Sequence, residues 1–165
     1  MIIKNDRGLK KVGVMVLLIR NNKALFLIRK KVNEDIHKEG IYLPIGGKVE
    51  KGESVEECAI RETKEESGVQ INKLIFKGIL YTRTQSEDEF NDWINYLFFS
   101  SDFTGEAVDG NEGNFEWINI SDISNINMYD GERVFLKSAF EFDFHVMESV
   151  HKGYELVDYK ILTFK

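Results

Sequence analysis

Gly47-Lys48-Val49-Glu50-Lys51-Gly52-Glu53, then seven residues, then Arg61-Glu62-Thr63-Lys64-Glu65-Glu66-Ser67-Gly68-Val69: the reading of the 165-residue chain turns on this stretch. Its middle carries the clearest helix signal in the sequence. Ser54 is an N-cap residue type, and Glu57 three positions on completes the capping-box spacing. Gly68 supplies the stop. The expected helix runs from Ser54 to Ser67. At about 100° per residue, Val55, Cys58 and Ala59 share one stripe, which the same spacing carries on to Glu62, Glu65 and Glu66. The expected inward face thus begins apolar and ends in carboxylates, with Glu56, Glu57 and Lys64 outside it.

Two readings of that face are open. One is a solvated, charge-rich helix with ordinary ion pairs. Against it, like charges three and four residues apart repel one another. Their burial costs several kcal/mol each, in rough terms, unless something compensates. The other reading is a divalent-metal site. Mg²⁺ and Ca²⁺ prefer oxygen ligands, and Mg²⁺ keeps waters and shares phosphate oxygens.

The residues ahead of the helix favour the second reading. The spacing resembles the Nudix signature: Gly, five residues, Glu, seven residues, Arg-Glu, an apolar position, any residue, Glu-Glu, any residue, Gly, an apolar position. Eight of the nine specified positions match. The departure is Thr63, where the family usually has an aliphatic residue. Thr63 keeps a methyl group and is expected to have little effect.

The resemblance implies a loop–helix–loop that binds Mg²⁺, with Mn²⁺ as a substitute, and hydrolyses a nucleoside diphosphate linked to another group. It implies metal ligation by the Gly46 carbonyl and by Glu62, Glu65 and Glu66, with Glu53 and Arg61 orienting the cluster. A plain loop-to-helix ion pair between Glu53 and Arg61 is compatible with that role. Gly110 to Trp117 and Met128 to Phe135 resemble the MutT-type branch, which cleaves oxidised purine nucleoside triphosphates such as 8-oxo-dGTP. By that likeness Glu112 completes the metal site. Tyr129 and Asp130 fall where relatives place an aromatic residue and an acid against the base, with Glu132 close by. Leu43 stands where some members have a base-reading asparagine, and Lys48 completes the expected substrate-binding set.

The implied chemistry is attack of an activated water on a phosphoanhydride, between the α- and β-phosphates, releasing pyrophosphate. Glu62, Glu65, Glu66 or Glu112 would serve as general base. Other Nudix branches carry a proline or a tyrosine at set distances beyond the motif. No proline follows it here, and Tyr81 comes too early, which favours the nucleoside triphosphate branch. Two rivals share the fold: a nucleotide sensor, which would have lost charged motif residues, and an isomerase, which would need a catalytic cysteine. The only cysteine, Cys58, lies on the packed side of the helix.

Outward from the motif, Val12 to Arg20 and Ala24 to Lys30 read as a hairpin around Asn21-Asn22-Lys23. Lys31 to Gly40 reads as a loop and Ile41 to Ile45 as a short strand. Ile71 to Thr84 and Trp93 to Ser100 read as strands joined by the acidic Gln85 to Asp92. Asn114 to Ile118 is a further strand, Ser121-Asp122 a turn, and Gly131 to Ala139 a second helix. In the tail, Phe142, Phe144 and Val146 face one way, and Tyr154 to Phe164 returns as a partner strand. The expected class is α+β: an α/β/α sandwich, with the loop–helix–loop packed on a mixed sheet and a second helix near the C-terminus. One domain over residues 1–165 is expected.

Composition sets outer bounds. Apolar residues make up 42% and charged residues 30%, a globular mixture. A net charge of −6 gives no general attraction to nucleic acid or anionic membrane. The longest apolar run, Val12 to Ile19, is too short to span a bilayer. The N-terminal ten residues hold four charges and no signal core. A cytoplasmic protein, monomer or homodimer, is expected, with a small-molecule nucleotide as partner and neither a nucleic-acid duplex nor a membrane. His37, His145 and His151 show no zinc spacing and read as surface or strand residues.

Overall fold

The structure is a computed structural model that describes residues 10–30, 40–85 and 92–164. The expected loop at 31–39, most of the acidic connection and His37 lie outside the described residues.

The first hairpin forms where expected. Strand β1 (Lys11–Arg20) and strand β2 (Lys23–Arg29) are joined by Asn21 (φ 50°) and Asn22 (φ 59°). Asparagine tolerates this left-handed conformation better than most residues, which suits a two-residue turn. Strand β3 (Tyr42–Leu43) is shorter than the expected 41–45. Pro44 has no N–H to extend the ladder. Ile45 and Lys48 instead make single bridges to Val16 and Gly13 of β1.

Helix α1 (Val55–Ser67) is followed by β4 (Gln70–Gln85), β5 (Trp93–Thr104) and β6 (Gly113–Asn119). A 3₁₀ turn (Ile120–Asp122) leads to α2 (Asp130–Glu141) and the closing strands β7 (His145–Lys152) and β8 (Glu155–Thr163). The eight strands run in the order β3-β2-β1-β5-β4-β7-β8, with β6 also paired to β2. The pairs β1/β5 and β4/β7 are parallel and the remaining ladders antiparallel, so the sheet is mixed.

Alternation along β1 builds both cores. Val14, Val16 and Leu18 pack with Leu25, Phe98 and the α1 residues Cys58 and Ala59. Met15 and Leu17 face the other way, toward Phe26, Leu97, Met147 and the α2 residues Phe135, Leu136 and Ala139. A strand buried on both faces reads as a continuous apolar run, as Val12 to Ile19 does. The result is the expected α/β/α arrangement. In β7 the inward side chains are His145, Met147, Ser149 and His151, not the set containing Val146. Both histidines are strand residues, one of the two expected places, and both are buried. No helix among the described residues is long and apolar enough to cross a membrane.

Candidate active site

Helix α1 is fixed at both ends. Ser54 Oγ accepts from the Glu57 N–H at 3.2 Å, and Glu57 Oε2 accepts from the Ser54 N–H at 2.8 Å, completing the capping box. Gly68 ends the helix at φ 78°. The inward stripe differs from the expected one. Its buried members are Cys58, Ala59, Thr63 and Ser67, while Glu62 and Glu66 flank it and the Glu65 side chain is 62% exposed. The i, i+4 row 59–63–67 faces the sheet, which turns the carboxylates onto the helix flank. Thr63 and Ser67 are satisfied there, donating to the carbonyls of Ala59 (2.8 Å) and Thr63 (2.6 Å).

Arg61 organises that flank. Its Nε and Nη2 bind Glu53 Oε1 and Oε2 at 2.7 and 2.9 Å, and its Nη1 binds Glu62 Oε1 at 2.8 Å and Glu65 Oε2 at 3.1 Å. The guanidinium, helped by the Glu50 N–H, holds the Glu53 carboxyl down at about 2. Burial, with Glu53 close by, pushes the Cys58 thiol up to about 12, so it stays protonated at neutral pH. That chemistry does not suit a nucleophile.

Glu62, Glu65, Glu66 and Glu112 line one cavity of about 240 Å³, together with Leu27 and the Gly110–Gly113 turn. That turn is tied to β2, since the Lys30 N–H donates to the Glu112 carbonyl at 3.0 Å. Among the described residues no three His, Cys, Asp or Glu side chains stand in ready-made metal coordination; Glu62 and Glu65 are held by Arg61. The donor set nevertheless fits a cation. Glu66 Oε2 is sealed from solvent without a hydrogen-bond partner. Burial first, then Glu112 and Glu62, raise the Glu66 carboxyl to about 8, against a hydrogen bond from the Gly46 backbone. An orphaned carboxylate oxygen beside two more acids is the electrostatic deficit that a hard cation removes.

A second, larger cavity of about 770 Å³ lies beyond the glycine pair. Leu43, Pro44, Gly46, Gly47 and Lys48 line it from one side, Tyr129, Gly131 and Glu132 from the start of α2, and His151 and Tyr154 from the last hairpin. Trp93, Asn95 and Thr82 line it from the sheet. Tyr129 and Tyr154 are stacked, with ring centroids 5.2 Å apart and an interplanar angle of 12°. Glu132 Oε2 is sealed without a hydrogen-bond partner, and burial raises this carboxyl to about 7. His151, depressed by burial, has Nε2 3.2 Å from Ser149 Oγ.

The structure therefore brings Glu62, Glu65, Glu66 and Glu112 to one cavity and Leu43, Lys48, Tyr129 and Glu132 to the next, with Gly46 between them. Asp130 is not brought in: its side chain is 73% exposed and lies 3.7 Å from Arg133 Nε. Sequence reasoning missed Trp93, Asn95, His151 and Tyr154. Parallel pairing of β1 with β5 places Trp93 beside Lys11 and Asn95 beside Gly13, and no local signal announces that register.

Comparison with known proteins bears on this geometry. The NUDIX domain family matches residues 9–139. The uncharacterized Nudix hydrolase YvcI of Bacillus subtilis (strain 168) is 30% identical over 122 residues, covering 73% of this chain and 70% of its own. The oxidized purine nucleoside triphosphate hydrolase of Danio rerio is 28% identical over 113 residues, 68% of this chain and 69% of its own. The NAD-capped RNA hydrolase NudC of Vibrio atlanticus (strain LGP32) is 33% identical over 64 residues, but this covers 39% of the chain and only 22% of that protein. In fold, the MutT mutator protein of Bacillus halodurans superposes with a TM-score of 0.81 at 22% identity, over 92% of this chain and 97% of that one.

Proposed function

The chain belongs to the NUDIX domain family as a hydrolase of the nucleotide diphosphatase type, and from that premise we propose that it is a Mg²⁺-dependent nucleoside triphosphate pyrophosphohydrolase. Oxidised purine nucleotides such as 8-oxo-dGTP are the proposed substrates, with a nucleoside monophosphate and pyrophosphate as products. Residues 1–165 are taken as one such domain, working in the cytoplasm. The observation that carries the reading is the place of Gly46-Gly47: both line the larger cavity with its stacked aromatic rings, while the Gly46 backbone bonds Glu66 and Gly47 packs against Glu62 of the cavity lined by four glutamates.

Glu62, Glu65, Glu66, Glu112 and the Gly46 carbonyl would hold the metal. When bound, Mg²⁺ supplies charge neutralisation at the phosphates and a lower pKa for a coordinated water. The protein does the rest. Arg61 fixes Glu62 and Glu65 in place and is itself fixed by Glu53. Glu66, with its orphaned oxygen, is suited to take a proton from the attacking water. Lys48, exposed at the mouth of the larger cavity, can meet phosphate oxygens. Tyr129 offers a flat apolar surface to a base, and Glu132 offers a carboxyl to the base edge.

A hydrolysis panel with Mg²⁺ tests this: 8-oxo-dGTP, dGTP, other nucleoside triphosphates, ADP-ribose, a dinucleoside polyphosphate and NAD. The expected result is preference for the oxidised purine, and loss of turnover by orders of magnitude in folded Glu65→Gln or Glu66→Gln. Equal rates on dGTP and 8-oxo-dGTP would remove the sanitising role alone. No Mg²⁺-dependent turnover of any nucleotide would remove the hydrolase reading and leave a sensor. Likeness to NAD-capped RNA hydrolases favours a second reading, a dinucleotide substrate, but the chain spans a small part of those relatives.

A further inference from the structure

Strand β8 borders the sheet. Its inner edge pairs with β7 from Lys152↔Glu155 to His145↔Thr163, and among the described residues no strand lies on its outer edge. An open edge of nine residues is a template for another strand, and proteins that keep such an edge single blunt it with proline, bulges or charge. β8 contains no proline; it carries one irregularity, at Val157, where the β7 register passes from Val150↔Asp158 to His151↔Leu156, and Val157 and Tyr159 stand 60% and 49% exposed. The Tyr159 N–H donates to its neighbour's side chain, Asp158 Oδ1, at 2.9 Å. That bond holds the donor within β8 itself.

The sequence of β8 is complementary to itself about Tyr159. Place a second β8 antiparallel to the first, with Tyr159 opposite Tyr159. Asp158 then meets Lys160, and on the far side of the Val157 irregularity the apolar Val157 and Leu156 come to the stretch holding Ile161 and Leu162. These pairs join either opposite charges or two apolar groups, the combinations that stabilise cross-strand neighbours. Centring the pair one residue earlier sets Asp158 against itself, and one residue later sets Lys160 against itself. Like charges penalise both slipped registers. The charges on this edge thus select one self-pairing instead of blocking pairing altogether.

We propose that β8 is a homodimer interface, at which two copies of the chain join edge to edge about a two-fold axis at Tyr159 to form one continuous sheet. On pairing, the Tyr159 N–H passes from Asp158 to a carbonyl of the other strand, and the freed Asp158 carboxylate pairs with Lys160 of the second copy. A single strand pair is a small interface, so the association depends on protein concentration.

Sedimentation velocity on the 165-residue chain, from low to high micromolar concentration, tests the proposal. The wild type is expected to shift from monomer toward dimer. Asp158→Lys and Lys160→Asp each create like-charge pairs and should weaken dimerisation by about tenfold or more. The double exchange restores opposite charges and should recover it. Val157→Asp disrupts the same interface independently, and circular dichroism verifies that each variant is folded. A wild type that stays monomeric throughout overturns the proposal. So does a dimer that is indifferent to the single reversals, or a double exchange that fails to recover association.

Discussion

Gly47 lies so close to Glu62 that a Cβ at position 47 would overlap the Glu62 carboxylate. The glycine that opens the motif and the glutamate fifteen positions on are therefore one packing unit. Gly46 is as constrained, since a Cβ there would overlap the Val14 carbonyl of β1. Together they let the loop thread between strand and helix while the Val14 N–H holds the Gly47 carbonyl at 2.9 Å.

Gly47→Ala should displace Glu62 rather than unfold the protein. Turnover is expected to fall by about a hundredfold, the scale of a misplacement near 1 Å. Steady-state kinetics beside a thermal melt checks this. Unchanged kcat would mean that Glu62 has room to move without cost.

Arg61→Lys keeps the charge and removes the fork. An ammonium cannot reproduce the paired bonds to Glu53 while also reaching Glu62 and Glu65. Activity should drop by about 10–100-fold, as is typical when a partner that orients metal ligands is lost. If Arg61→Lys matches the wild type, charge alone suffices and the bidentate geometry is incidental.

On the proposed reading Mg²⁺ should raise the melting temperature, because a cation held by the folded cluster would find no such site in the unfolded chain. In Glu66→Gln the rise should be much smaller, since the orphaned oxygen no longer carries charge. This calorimetric readout requires no substrate. An equal rise in both proteins would place the cation elsewhere.

Glu132 makes stability depend on pH. Burial raises its carboxyl from 4.5 to about 7 in the folded state. The folded protein thus holds a proton that the unfolded chain releases. Its contribution is complete below 4.5, declines as pH rises through the window to about 7, and is flat above it. Glu132→Gln should remove that slope and so gain on the wild type as pH rises. Denaturant melts on both sides of the window test it; parallel pH profiles for the two proteins would contradict it.

Thr63→Val restores the aliphatic residue that the motif usually carries. The Thr63 hydroxyl is buried but bonded to the Ala59 carbonyl within the helix. Losing that bond while gaining apolar burial should leave stability within about 1 kcal/mol and activity unchanged. A larger effect on turnover would show that the hydroxyl matters to the glutamate flank.

The sequence by itself determined what depends on near neighbours. Ser54 and Glu57 lie one helical turn apart, so the capping box could be read and is formed. Asn21-Asn22 marks a turn because asparagine tolerates positive φ. The apolar run from Val12 to Ile19 announced a strand, and the structure showed it buried on both faces. The motif spacing placed five charged residues, Glu53, Arg61, Glu62, Glu65 and Glu66, on one loop–helix unit. Tertiary structure decided everything set by contacts between distant segments. The helix wheel alone could not tell which row faces the sheet, and packing chose 59–63–67 over the carboxylates. Asp130 looked suited to the base, yet helix α2 starts with it turned to solvent. Trp93 and Asn95 reach the larger cavity only through the parallel register of β1 with β5. Pro44 cut short a strand that pattern alone extended to Ile45. Local propensities act through a few covalent bonds and are written in the sequence. Register, burial and the closeness of Gly47 to Glu62 come from the whole chain packing at once.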